Sequence, residues 1–130
     1  MSAENRPEVE YLTSESMKGI PFSEAVRVGN MLYLSGALGR DASGKMVPGG
    51  IVAETKQTME NIKATLERYG SSLDHVVKVT VMLADISEWP AMNEVYATYF
   101  TKHLPARSAL GANGLALGAR VEIEVIAVLK

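Results

Sequence analysis

Short runs of apolar residues, bounded by glycine, proline or asparagine, recur along the chain and predict β-strands. Two of these runs are separated by Gly29 and Asn30, and this spacing is typical of a β-hairpin. We predict six strands: a short one near Tyr11, then 24–28, 31–35, 76–83, 107–111 and 120–129.

Two longer stretches carry an apolar residue at every third or fourth position, which predicts amphipathic helices. The first runs from Val52 to Tyr69 and is followed by Gly70, a stop signal. The second follows Asp85, which can cap it, and has Pro90 in its first turn. The order β-β-β-α-β-α-β-β predicts an α+β fold with one mixed sheet and two helices on one face.

The strand predicted at 76–83 alternates strictly, so its two faces can be assigned. We expect four aliphatic residues to share one face: Val77, Val79, Val81 and Leu83. The opposite face is expected to carry Val76, Thr80 and Met82.

The last predicted strand also has apolar residues on both faces. Ile126 and Val128 lie on the same side as Glu122 and Glu124. Because two helices can cover just one face of the sheet, the second face needs another layer. We therefore expect a homo-oligomer in which the sheet faces are buried at the interfaces.

The composition is that of a globular protein: of 130 residues, 47% are hydrophobic and 22% are charged. We expect one domain, 1–130, in which residues 1–10 are flexible. The net charge of −2 and the absence of a basic run argue against nucleic acid as a partner. The chain has no cysteine and begins with a polar stretch, which favours a cytoplasmic protein without a membrane partner.

One arginine and one glutamate are the leading candidates for chemistry. Arg107 lies in a strand of small residues, and its planar guanidinium can bind both oxygens of a carboxylate. Glu122, on the next strand, can accept a proton. Arg107 can equally be a structural ion-pair partner of Glu122 or Glu124, and the two glutamates can equally form a solvated face.

From about Gly19 to Val128, the chain resembles the Rid (reactive intermediate deaminase, YjgF) family, and the segments that contain Arg107 and Glu122 are part of the resemblance. The order and spacing of six segments carry the resemblance: Pro21-Phe22-Ser23-Glu24-Ala25-Val26, Leu34-Ser35-Gly36, Asn61, Asn93 to Phe100, Pro105-Ala106-Arg107-Ser108 and Val121-Glu122-Ile123-Glu124.

The resemblance implies a chorismate-mutase-like fold and a homotrimer with clefts between subunits. It also implies hydrolysis of 2-imino acids, such as 2-iminobutanoate and 2-iminopropanoate, to 2-keto acids and ammonia. An imine carbon is already electrophilic, so this chemistry needs neither a metal nor an organic cofactor. The two histidines, His75 and His103, lie far apart in the sequence, and we expect no metal site.

By position, the family's carboxylate-binding arginine falls on Arg107 and its proposed water-activating glutamate on Glu122. Its pocket serine and asparagine fall on Ser35 and Asn93. Without the resemblance, the ordinary roles of these two are turn hydrogen bonding and a polar helix surface.

Two positions depart from the family's pattern. Phe22 stands where the family usually has tyrosine, so the ring remains to line the pocket but the hydroxyl is absent. Ala109 stands where cysteine is frequent, and the family's backbone groups there bind the substrate. The change at Phe22 bears on which imine is preferred.

Three other functions remain open from the sequence. The substrate can be another enamine, such as an aminomuconate-type intermediate of aromatic catabolism. The protein can also be a non-catalytic trimer that binds small carboxylates through Arg107. Ribonuclease or translation-inhibitor activity has been attached to the family, but the acidic composition counts against it.

Overall fold

The protein, seen in a computed structural model that describes residues 5–130, is built on one six-stranded sheet. Its strands are β1 Val9–Leu12, β2 Ala25–Val28, β3 Met31–Leu34, β4 Val76–Leu83, β5 Ala106–Gly111 and β6 Val121–Val128. Its helices are α1 Gly50–Arg68 and α2 Trp89–Ala97. The predicted order of strands and helices is confirmed.

The strands lie side by side in the order β1-β2-β3-β6-β4-β5. β4 and β5 are parallel, and α2 lies in the crossover connection that a parallel pair requires, whereas the other neighbouring strands are antiparallel. The sheet is therefore mixed, as predicted. The predicted hairpin is also present, and Gly29, with φ at 60°, adopts the left-handed conformation that its turn requires.

The N-terminal segment lies partly in the sheet. β1 begins at Val9 and pairs with β2, so the last two residues of the stretch 1–10 that we expect to be flexible are part of a strand. Residues 1–4 of that stretch lie outside the described residues.

The start of α2 differs in detail from the prediction. The carboxylate of Asp85 accepts hydrogen bonds from the backbone N–H and the hydroxyl of Ser87, at 2.9 and 2.7 Å. It thereby caps a single 3₁₀ turn, Ile86–Glu88, which leads into α2. Pro90 lies in the first turn of α2, where its missing N–H has no partner to lose.

The core lies between the sheet and the two helices. On β6, four residues of one face are fully buried: Val121, Ile123, Val125 and Ala127. They pack in one cluster with apolar residues of α1 and α2, among them Met59, Ile62, Leu66 and Met92. This alternation along β6 is the predicted one.

The faces assigned to the start of β4 are wrong. A β-bulge between Val76 and Lys78 shifts the register against β6 by one residue. Because a shift of one residue exchanges the two faces, Val76 is buried in the core and Val77 is 43% exposed. The prediction assumed unbroken alternation and placed these two valines the other way round.

The second face of the sheet carries Glu122, Glu124, Ile126 and Val128, all of which are partly or fully exposed. Of residues 5–130, no helix is long and apolar enough to cross a membrane.

Candidate functional site

Arg107 lies on the helix-covered face of the sheet, near one edge. β5 is an edge strand, and Arg107 is in register with Val79, a core residue of β4. Residues that face each other on neighbouring strands project to the same side. The side chain of Arg107 therefore extends toward the helices, and it contacts residues of α2.

The contacts of Arg107 with α2 are an amide and two aromatic rings. One guanidinium nitrogen donates a hydrogen bond to Oδ1 of Asn93 at 2.7 Å. The Cζ atom lies 4.7 Å from the ring centre of Tyr96 and 5.7 Å from that of Trp89. Both distances fall within the range of a cation–π interaction.

Among residues 5–130, no carboxylate forms an ion pair with Arg107. The structural alternative, pairing with Glu122 or Glu124, is therefore not what the fold contains. The hydrogen bond to Asn93 uses one of the five N–H donors of a guanidinium. The positive charge and the remaining donors are available to an anion.

An open pocket of about 590 Å³ adjoins Arg107. Its lining joins the turn before α2, the start of α2 and β5: Ile86, Ser87, Trp89, Pro90, Arg107 and Ala109. One cation set in mostly apolar walls suits a small acid with a hydrocarbon part. We call this the Arg107 pocket.

Glu122 lies on the opposite face of the sheet. It is in register with Met82 and packs against Gly36, where the carboxylate occupies the space that a Cβ atom would take. Burial raises the pKa of the Glu122 carboxyl, and the neighbouring charge of Glu124 raises it further. A raised pKa suits a group that exchanges protons near neutral pH.

Ser35 directly follows the end of β3 and adjoins Gly36, which contacts Glu122, whereas Phe22 lies in the segment before β2. The hydroxyl of Ser35 donates to the carbonyl of Ser23 at 2.6 Å, which is the ordinary turn role. Its oxygen still has the capacity to accept a hydrogen bond. Phe22 is 55% exposed, which is unusual for a large apolar ring and leaves it accessible to a ligand or a second subunit.

One chain thus holds the predicted site residues in two groups. Arg107, Asn93 and Ala109 lie on the helix-covered face. Glu122 lies on the other face, next to the Ser35–Gly36 segment. The sheet separates the two groups.

The apolar pattern of the second predicted helix includes Trp89 and Tyr96 but gives neither residue a role at the site. Together with Asn93 they are spaced by four and three residues, which places all three on one side of α2. That spacing was a usable signal, because it puts an amide between two aromatic rings.

Both histidines border a second, smaller pocket of about 380 Å³ at the other end of β5. His75 is hydrogen-bonded through Nδ1 to the hydroxyl of Ser72 at 2.7 Å. In the described part of the chain, no three histidine, cysteine, aspartate or glutamate residues are grouped as metal ligands.

Comparison with known proteins places the chain among relatives of similar length. The 2-iminobutanoate/2-iminopropanoate deaminase of Mus musculus is 48% identical over 109 residues, which are 83% of this chain and 81% of that protein. The human protein of the same name is 42% identical over 83% of this chain and 80% of its own length.

Solved structures agree with this similarity. Yeast Mmf1 superposes with a TM-score of 0.88 at 36% identity, over 95% of this chain and 100% of that chain. RidA from the Antarctic bacterium Psychrobacter sp. gives a TM-score of 0.82 at 38% identity, over 92% and 94% of the two chains.

The family model described as Endoribonuclease L-PSP matches residues 14–129, nearly the whole chain. The match spans β2 to β6 and both groups of site residues. The chain therefore belongs to this family, which is the Rid (YjgF) family.

Proposed function

We propose that the protein is a cofactor-independent hydrolytic deaminase of 2-imino acids, 2-iminobutanoate and 2-iminopropanoate among them. One observation carries the proposal: Arg107 borders a pocket with its charge unpaired by any described carboxylate. The deaminase names of relatives at 42–50% identity support it.

Arg107 binds the substrate carboxylate in this mechanism. Its free N–H donors form paired hydrogen bonds to the two carboxylate oxygens, which fixes the imine carbon relative to the protein. Asn93, whose Oδ1 holds the guanidinium, retains its amide N–H groups for the substrate. Backbone groups near Ala109 bind the imine nitrogen.

Glu122 acts on the water. As water attacks the protonated imine carbon, its oxygen forms a bond to carbon, and the π electrons of the C=N bond move to nitrogen. Glu122 accepts the proton that the water loses and returns one to the nitrogen. The C–N bond then breaks with its electron pair leaving on nitrogen, the hydroxyl gives its proton to the Glu122 carboxylate as it becomes the keto group, and ammonia leaves.

A second copy of the chain completes the site in this proposal. Arg107 and Glu122 lie on opposite faces of one sheet, so a cleft that contains both takes one from each of two subunits. We extend the proposal to a homotrimer with a chorismate-mutase-like arrangement and three intersubunit sites. Ser35, next to the Gly36 that contacts Glu122, and the exposed ring of Phe22 then line the same cleft.

The direct test generates 2-iminobutanoate with an amino acid oxidase and follows its disappearance with and without the protein. Arg107→Ala removes the carboxylate contact and is expected to lower kcat/KM by about 10- to 100-fold. Arg27→Ala is the matched control, because this arginine pairs with Glu10 at the hairpin, away from both groups of site residues.

Two results would refute parts of the proposal. If the wild-type protein does not accelerate imine hydrolysis under conditions where another family member does, the proposed deaminase activity is refuted. If Arg107→Ala keeps full activity, Arg107 does not bind the substrate carboxylate.

Two alternatives share the site. An aminomuconate-type substrate is distinguished by a panel of enamines, and a non-catalytic binder by thermal stabilisation with 2-keto acids in the absence of turnover. Ribonuclease activity, named in the family's description, is not proposed, since the net charge is −2 and no basic run is present. A cytoplasmic location remains a sequence-based prediction, which fractionation of cells expressing the tagged protein checks.

A further inference from the structure

The side chain of Arg107 rests on two aromatic rings that the proposed mechanism does not use. Tyr96 is 8% exposed, so its ring is fixed in the core, where it also packs on Phe100 with ring centres 4.9 Å apart. Trp89 is 40% exposed and forms a wall of the Arg107 pocket. We call Trp89 and Tyr96 the aromatic cradle.

The cradle belongs to a different element from the arginine that it holds. Trp89, Asn93 and Tyr96 lie on one side of α2, whereas Arg107 comes from the edge strand β5. α2 packs on α1 and contributes buried Met92 to the core, so it is a rigid support. The position of the guanidinium is therefore set by the packing of a helix.

A cation–π contact uses the charge above a ring and occupies no N–H donor. An amide partner would occupy N–H donors of the guanidinium. A carboxylate partner would occupy donors and also neutralise the positive charge. The cradle thus restrains a long, flexible side chain and leaves its charge and donors for a ligand. A side chain already restrained loses less freedom when the ligand binds.

We infer that Trp89 and Tyr96 are positioning residues, which hold the Arg107 guanidinium in the orientation that receives a carboxylate. The inference rests on the proposed function, because it explains how the carboxylate site of that mechanism is built. It adds two residues that act on the substrate through Arg107.

The ring and the hydroxyl of Tyr96 can be tested separately by mutation. The hydroxyl is buried and forms no hydrogen bond of normal geometry among the described residues, although the nearby Arg107 guanidinium opposes the rise in the Tyr96 pKa that burial causes. An unpaired buried hydroxyl is unfavourable for folding, so Tyr96→Phe is expected to fold at least as stably while keeping the ring. This variant is the conservative control for Tyr96→Leu, which removes the ring.

The experiment measures binding of 2-ketobutyrate, the keto acid that 2-iminobutanoate yields, by calorimetry. Trp89→Leu and Tyr96→Leu are expected to weaken binding by about 3- to 30-fold, whereas Trp89→Phe and Tyr96→Phe stay near the wild type. Tyr11→Leu changes an exposed aromatic residue on β1 and is the matched control. In turnover, the leucine variants are expected to raise KM more than they lower kcat.

Two spectroscopic measurements report on the arginine itself. Trp89 is the one tryptophan of the chain, so its fluorescence is expected to change when 2-ketobutyrate binds and to stay constant in Arg107→Lys. In the nitrogen-15 spectrum of the free protein, ring currents of Trp89 and Tyr96 are expected to displace the Nε–H signal of Arg107. Trp89→Leu, at a half-exposed site, is expected to move this signal toward that of an exposed arginine without unfolding the protein.

The outcomes separate this inference from the proposed function. Leucine variants with wild-type affinity, or an Arg107 signal that does not move in Trp89→Leu, overturn the positioning role. A wild-type protein that binds no 2-ketobutyrate overturns both proposals. If the protein binds 2-ketobutyrate and the leucine variants weaken that binding, but imine hydrolysis is not accelerated, the proposed deaminase activity is refuted and the positioning role is supported.

Discussion

At the scale of single residues, Arg107 differs from the arginines that stabilise the fold. Arg27, Arg68 and Arg120 each pair with a glutamate: Arg27 with Glu10 at 2.7 Å, Arg68 with Glu24 at 2.7 Å and Arg120 with Glu88 at 2.7 Å. Arg107 has a neutral amide and two rings instead. Neutral partners hold the side chain without cancelling its charge, which is what an anion-binding residue requires.

Glu122 yields a prediction on pH. Since Glu122 must be ionised to accept a proton, activity is expected to fall as pH drops through its raised pKa. Glu124→Gln removes the neighbouring like charge, so the acidic limb of the kcat/KM profile is expected to move to lower pH. An unmoved limb contradicts the role of Glu122 as the base.

The same raised pKa has a consequence for stability. The folded state binds the Glu122 proton more readily than the unfolded state does, so the ionised carboxylate destabilises the fold at neutral pH. Glu122→Gln is expected to abolish turnover yet stabilise the protein at pH 7 by about 0.5 kcal/mol, since solvent screens part of the effect. This gain in stability is expected to vanish below pH 4.5, the ordinary pKa of a glutamate, because the carboxyl is then protonated in both states. Thermal unfolding across pH measures it, and a destabilised variant contradicts it.

At the scale of elements, the bulge in β4 determines which side chains reach the core. The bulge lies near the start of the strand, between Val76 and Lys78, and the alternation after it is regular. Val79, Val81 and Leu83 are all fully buried, and Val79 is in register with Arg107. The bulge therefore adjusts one end of β4 while the end that supports the site stays regular.

Two neighbouring valines test the bulge directly. Val76→Ala is expected to lower the free energy of unfolding by about 2 kcal/mol, because it leaves a cavity in the core. Val77→Ala, the matched control one residue away, is expected to cost less than about 0.5 kcal/mol, because its side chain is half exposed. Urea denaturation compares the two. The opposite ranking is expected if β4 alternates without a bulge.

At the scale of the whole molecule, the sheet places the halves of the proposed site on opposite faces. Arg107 extends under α2, and Glu122 lies on the face that also carries Ile126 and Val128. Apolar side chains beside a carboxylate of raised pKa are what an interface next to a catalytic cleft would contain. In the proposed trimer, activity would therefore depend on the assembly.

The oligomeric state gives the corresponding prediction. Light scattering is expected to give three times the 14.0 kDa mass of one chain. Ile126→Glu adds a charge to the second face and is expected to dissociate the trimer and abolish turnover together. Val52→Glu makes the same change at an exposed position of α1 and is the control. An active, monomeric Ile126→Glu protein contradicts a site shared between subunits.

The sequence by itself determined the type and order of the helices and strands, the hairpin at Gly29, and the alternation along β6. These follow from periods of 2 and 3.6 residues, which act between close neighbours in the chain. It also identified Arg107 and Glu122 as candidates, since their side-chain chemistry and the family resemblance need no coordinates.

The tertiary structure alone decided which face Arg107 occupies and what lies beneath its side chain. The bulge in β4, the register of Val79 with Arg107 and the approach of α2 to β5 all depend on pairing between segments far apart in the chain. A shift of one residue in such a pairing exchanges the faces of a strand, and no local pattern fixes it. The cradle of Trp89 and Tyr96 exists because that pairing brings a cation from an edge strand over one side of a helix.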